Sequence, residues 1–201
     1  MKNKKLIIIL AIILLTIISI IFIKNMAKKS ENGNNITSQE IINKILNISS
    51  YEVEIEATIT SNKNQNTYKI NQKYKNPDFS SQTVIEPKNI EGTEIIREKE
   101  KITLKNTKLN LTKIIEEYPE IAENNLDLST FISEYANNEK KEVKENENEI
   151  ILKVEVDKNN SHIKEKELYI DKKNIKPIKM IIYGTNKKEI IYISYNKVKI
   201  N

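Results

Sequence analysis

The side chains able to do acid–base, nucleophilic or metal chemistry are few in kind and poorly placed for it. The chain has one histidine, His162, and no cysteine. His162 stands in the polar stretch DKNNSHIKE, with no second imidazole or thiolate to complete a zinc site. It reads as a solvated loop residue. Nucleophilic triads need an imidazole or thiol partner that this chain does not supply. Three glycines in all leave no glycine-rich phosphate loop. Carboxylates are plentiful, but none sits in an apolar run that would raise its proton affinity for general-acid work. Glu52, Glu54 and Glu56 recur at every second position and form an acidic stripe. Such a stripe reads first as a solvated sheet face and second as a docking surface for a basic partner. The mixed-charge run KKEVKENENE reads as a solvated strand lead-in or loop. Nine tyrosines and no tryptophan are present. Tyr51, Tyr68 and Tyr74, at strand spacing, read as packing at the edge of a core. These residues argue for a binding protein that is not an enzyme and carries no cofactor or metal.

Charge points the same way. The formal net charge of +5 is made by the flanks of one segment: residues 1–33 hold six lysines against Glu31, leaving 27 basic and 27 acidic residues beyond them. Arg97 is the single arginine, and arginine is the usual bidentate reader of phosphate and guanine. Nucleic acid is therefore not an expected partner.

The elements that must position these residues start with an apolar run, Leu6 to Ile23. It includes Leu6, Ile9, Ile13, Ile17, Ile20 and Ile23. As a helix it would span roughly 27 Å, about the thickness of a bilayer's hydrocarbon core. Lys2, Lys4 and Lys5 precede it, as in a signal peptide, but the run is long and no small-x-small cleavage site follows. Residues 1–24 read as an uncleaved signal anchor; cleavage stays open. Residues 25–35 read as a flexible tether, and 36–201 as one domain on the far side of the membrane. That places the protein in the cell membrane as a single-pass protein with its C-terminal domain extracytoplasmic, or facing the intermembrane space of a spore.

Within the domain, Thr37 and Glu40 have capping-box spacing, and Ile41, Ile42, Ile45 and Leu46 share a helical face. Tyr51, Val53, Ile55, Ala57 and Ile59 then alternate with polar residues, which predicts a strand with one buried face. Strands are also expected over 67–75 and 79–85, and a hairpin over 93–105. Residues 107–138 break the strand pattern, and within them TKIIEEYPEIAENNL (112–126) mixes helical spacing with breakers such as Pro119 and two asparagines. The stretch LDLSTFISEYANN predicts a helix capped by Asp127 or Ser129, with Leu128, Phe131, Ile132 and Tyr135 on one face. Four strands follow, over about 141–157, 163–171, 177–184 and 188–199. The last two carry apolar residues on both faces, so Met180, Ile182, Ile191 and Ile193 are candidates to line a cavity.

This order of elements resembles the LolA-like superfamily of lipoprotein carriers, most nearly the clostridial branch containing the germination protein GerS. The resemblance rests on the opening helix, ISSYEVEIEATITSNKNQNTYKINQKYKNPD, VIEPKNIEGTEII, NNLDLSTFISEY and LYIDKKNIKPIKMIIYGTNKKEIIYISYNKVKIN. It covers about 45–201. It implies an α+β fold, a curved antiparallel sheet in an incomplete barrel wrapped over helices. Two functions are implied. In GerS-like proteins it is binding and activation of a zinc-dependent cell-wall amidase during spore-cortex modification. In the carriers it is uptake of a lipid or acyl chain. Two departures stand out: the chain has no cysteine to acylate, and a tethered protein cannot shuttle. A structural or sensor role is neither supported nor excluded by these residues.

Overall fold

Helix α1 (Ser38–Leu46) begins one residue after Thr37 and buries Ile41, Ile42 and Ile45. It belongs to a computed structural model that describes residues 36–99, 101–115, 124–156 and 162–201. The apolar run 6–23 and the tether lie outside these residues. Among the described residues no helix is long and apolar enough to cross a membrane. Residues Ser38–Asn201 form one compact unit.

Six strands follow α1: β1 (Ser50–Thr60), β2 (Gln65–Lys75), β3 (Phe79–Glu86), β4 (Thr93–Glu98), β5 (Lys101–Asn106) and β6 (Leu111–Ile115). Helix α2 (Leu128–Asn137) interrupts them. Five more complete the chain: β7 (Lys141–Glu145), β8 (Glu149–Glu155), β9 (Ile163–Asp171), β10 (Lys176–Gly184) and β11 (Glu189–Ile200). All eleven form one curved antiparallel sheet in the order β6-β5-β4-β3-β2-β1-β11-β10-β9-β8-β7. The first and last strands thus meet at the centre, with Ile55 opposite Tyr195 and Ala57 opposite Ile193. Two meanders fan outward from that pair. The edges, β6 and β7, are neighbours in sequence but lie at opposite ends, so the sheet stays open among the described residues.

Because successive strand side chains point to opposite faces, one face collects the apolar positions. Val53, Ile55 and Ala57 of β1 join Ile150, Leu152 and Val154 of β8, Leu168 and Ile170 of β9, and Met180 and Ile182 of β10. Both helices press on this face, α1 through its three isoleucines and α2 through Leu128, Phe131 and Tyr135, in one continuous core. Each such fully buried side chain contributes roughly 1.5–3 kcal/mol. The other face of the sheet is the outer face.

Two segments depart from the pattern read above. Leu111–Ile115, expected within a partly helical stretch, is a strand. Asn106 closes its hairpin by accepting from Leu109 N at 3.1 Å, and Asn110 adopts φ 49°, which lets the chain turn. Thr112, Ile114 and Ile115 are β-branched and favour the strand. The span 141–157, expected as one strand, is two. Asn146 Oδ1 accepts from Asn148 N and Glu149 N at 2.9 and 2.8 Å and folds the run into a hairpin.

Candidate functional site

Helix α2 is seated by side chains from the centre of the sheet. Asp127, 2% exposed, is its N-cap and accepts from Ser129 N and Oγ at 3.2 and 3.0 Å. The buried Tyr51 hydroxyl donates to the same carboxylate oxygen and accepts from Ser129 N at 3.2 Å. Tyr51 stacks on Tyr74, its cross-strand partner, with ring centroids 5.2 Å apart. On β2, Gln72 Nε2 donates to Leu126 O at 2.8 Å. Burial, reinforced by the charge and hydrogen bond of Asp127, holds the Tyr51 phenol well above the usual tyrosine range. Asp127→Ala removes the cap, which costs about 1 kcal/mol, and strands the buried hydroxyl, which costs about 1–3 more. The expected loss is about 2–4 kcal/mol in urea unfolding, whereas Asp127→Asn keeps an acceptor and loses less.

The outer face carries the acidic stripe. Glu52 pairs with Lys73 at 3.4 Å and Glu54 with Lys197 at 2.7 Å. Glu56 lies opposite Lys69 of β2, which itself pairs with Glu86 at 3.1 Å. The structure does bring the three glutamates onto one face, but as part of a mixed-charge ladder. Such exposed pairs contribute roughly 0–1 kcal/mol each. Further along this face, Glu167 accepts from the hydroxyls of Tyr169 and Tyr183 at 2.9 and 3.2 Å. Lys179 Nζ sits 4.2 Å from the Tyr169 ring centroid. Burial and then the Glu167 carboxylate push Tyr183 up to about 12. These phenols spend their protons on hydrogen bonds already made; the cluster fixes side chains in place.

Met180, Ile182 and Ile193 are fully buried in the core under the helices, and Ile191 packs against it half-buried. None of the four lines the open groove of about 880 Å³ at one end of the sheet. That groove is bounded by the end of α1 and the segment after it (Asn43, Lys44, Ile48), the β9–β10 turn and the first residue of β10 (Ile175, Lys176), and the end of β11 (Lys199). His162 is exposed, and its carbonyl accepts from Thr185 N at 3.2 Å. Among the described residues no three His, Cys, Asp or Glu side chains converge as metal ligands.

Two buried polar arrangements escaped the sequence reading. One is the long-range half of the cap, Tyr51 to Asp127. The other is Lys166, 1% exposed, whose Nζ meets Glu134 Oε2 of α2 at 2.5 Å. The alternation of β9 does place Lys166 in phase with Leu168 and Ile170, and that was the available signal.

A family model described as "Sporulation protein YdcC-like" matches residues 3–201. No curated protein matches. Among solved structures, that of the CwlD amidase from Clostridioides difficile in complex with the GerS lipoprotein is similar: 22% identity, TM-score 0.52, 83% of this chain and 97% of that one. A conserved protein from Thermus thermophilus has 11% identity and TM-score 0.51, over 83% of this chain and 88% of that one. A LolA superfamily protein from Nitrosomonas europaea has 12% identity and TM-score 0.45, over 83% and 94%. The expected likeness to GerS is borne out, and at 22% identity it is a likeness of fold.

Proposed function

The chain belongs to the YdcC-like sporulation protein family, and from that premise we propose that it is a non-enzymatic binding module of the sporulating cell envelope that regulates a cell-wall amidase. The observation that carries this reading is the shared fold with a chain from a complex of an amidase and a lipoprotein. The packing agrees with it. Helix side chains occupy the apolar face of the sheet, with Phe131, Leu128 and Ile45 at most 1% exposed. Binding is then left to the outer face, the groove and the strand edges, which suits a protein partner. The apolar run 6–23 serves as the membrane anchor in this reading, in place of the acyl chain of a lipoprotein.

The test is a reconstitution. The purified full chain is expected to release nothing from cortex peptidoglycan alone, to bind the sporulation amidase of the same cell near one to one, and to raise its rate at least tenfold. Hydrolysis by the chain itself, or no binding, would overturn the reading. Recovery of the chain loaded with phospholipid or an acylated protein, without an amidase effect, would favour the carrier.

A further inference from the structure

The two edges of the sheet are built differently. Strand β7, KEVKE, is guarded by charge: four of its five residues are Lys or Glu. Edge strands leave unpaired N–H and C=O groups pointing outward, and charges of this kind discourage a visiting strand. Strand β6, LTKII, carries one charge and three large apolar residues. Leu111, Ile114 and Ile115 are 48%, 51% and 37% exposed, and Leu109 in the adjoining turn is 65% exposed. Among the described residues β6 pairs only with β5. The hairpin that presents it is held fast. Asn106, 3% exposed, donates to Thr93 Oγ1 at 2.7 Å and accepts from Leu109 N, while Lys108 bonds Glu91 at 2.5 Å.

Charge says what kind of strand fits. Residues 101–115 contain Lys101, Lys105, Lys108 and Lys113 and no acid. The glutamates that answer Lys101 and Lys105 are Glu98 and Glu94 of β4, one strand further in. Lys113 lies opposite the uncharged Leu104. A strand added outside β6 therefore meets lysines first. On the face shared by Leu111, Lys113 and Ile115 it needs the order apolar, acidic, apolar. A second copy of this chain would bring lysines against lysines.

We infer that β6 is a docking edge for an extended segment of a partner protein in which a carboxylate side chain is flanked, at alternate positions, by apolar ones. The segment adds a twelfth strand; backbone bonds supply affinity and Lys113 supplies register and specificity. This deepens the partner-binding reading and rests on it.

The test uses the full chain in detergent and two capped peptides, TVIETVT and its lysine analogue TVIKTVT. The acidic peptide is expected to bind at least tenfold more tightly and to shift backbone amide resonances of Leu111–Ile115 but not of Lys141–Glu145. The K113E variant, altered at an exposed side chain, is expected to reverse the preference. Equal binding of both peptides, binding of neither, amides of β6 already protected from exchange in the free chain, or a dimer broken by Ile114→Lys would each overturn the inference. An amidase that the wild-type chain activates and K113E activates equally well would overturn the edge and leave the regulatory reading standing. Peptide binding at β6 without any amidase response would do the reverse.

Discussion

Raising the pH through 10 is expected to remove about 2.7 kcal/mol of stability for each further pH unit. Two buried phenols cause this. Folding raises the proton affinity of Tyr51, through burial and then Asp127, and of Tyr195, again through burial and then the charge of Asp127. Their exposures are 2% and 7%. In the unfolded chain both titrate near 10. Below that pH folded and unfolded chains hold the same two protons and the stabilisation is fully present. Above it the unfolded chain sheds them and the folded chain keeps them, so the folded state is progressively disfavoured by about 1.36 kcal/mol per group per unit. By about pH 11 the loss approaches 3 kcal/mol, a large share of the 5–15 kcal/mol that holds a domain together. Tyr169 and Tyr183 are raised as well, but both are part-exposed on the outer face, where solvent screens the effect. Urea midpoints from about pH 9 to about 11.5, read together with phenolate absorbance, check this. Tyr195→Phe is the sharpest control. Among the described residues its hydroxyl reaches only Met180 Sδ at 4.0 Å, so the variant keeps its neutral-pH stability and halves the slope. A flat profile to about pH 11.5 would show that these rings are not buried.

The same two tyrosines mark what could be read from the sequence. The alternation of Tyr51, Val53, Ile55 and Ala57 announces a strand with one wet face because the period of a strand is local. So does the helix after Asp127, whose cap lies two residues from the amide it accepts. The partner of that cap, Tyr51, is 76 residues away, and only tertiary structure joins them. The position of the last strand beside the first is equally non-local. Leu111–Ile115 misleads for another reason: the apolar spacing of Leu111, Ile114 and Ile115 fits a helical face, and the hairpin that overrides it is imposed by Asn106 and Asn110. Glu52, Glu54 and Glu56 are legible as a stripe, yet the lysines that answer them come from β2 and β11 through register. The lone histidine, by contrast, stands in solvent as its neighbours imply, because a polar turn context decides exposure locally.

Lys166 shows how a buried ion pair can fix a helix without adding much net stability. It lies between Val154 and Ile182 on the helix-bearing face, with Leu168 and Ile170 in the same row. Its Nζ reaches Glu134 at 2.5 Å, with the two side chains 1% and 14% exposed. Glu134→Ala leaves an ammonium group in the core without its carboxylate, and breaking a buried pair this way costs about 3–5 kcal/mol. Replacing both partners by apolar residues of similar length, Lys166→Met with Glu134→Leu, removes the desolvation cost together with the attraction and is expected to be neutral or stabilising by about 1–4 kcal/mol. Thermal or urea unfolding of the three proteins separates the outcomes. If the single variant were as stable as the parent, the pair would be solvated and α2 would not be anchored there. The geometry gives the pair a positional role instead. Asp127 ties the start of α2 to β1 and Glu134 ties its second half to β9, so the helix is pinned across both meanders. The double variant keeps the core but loses the second pin. Amide exchange in the last turn of α2 is therefore expected to quicken even as the melting temperature holds or rises, which separates positioning from stability in one measurement.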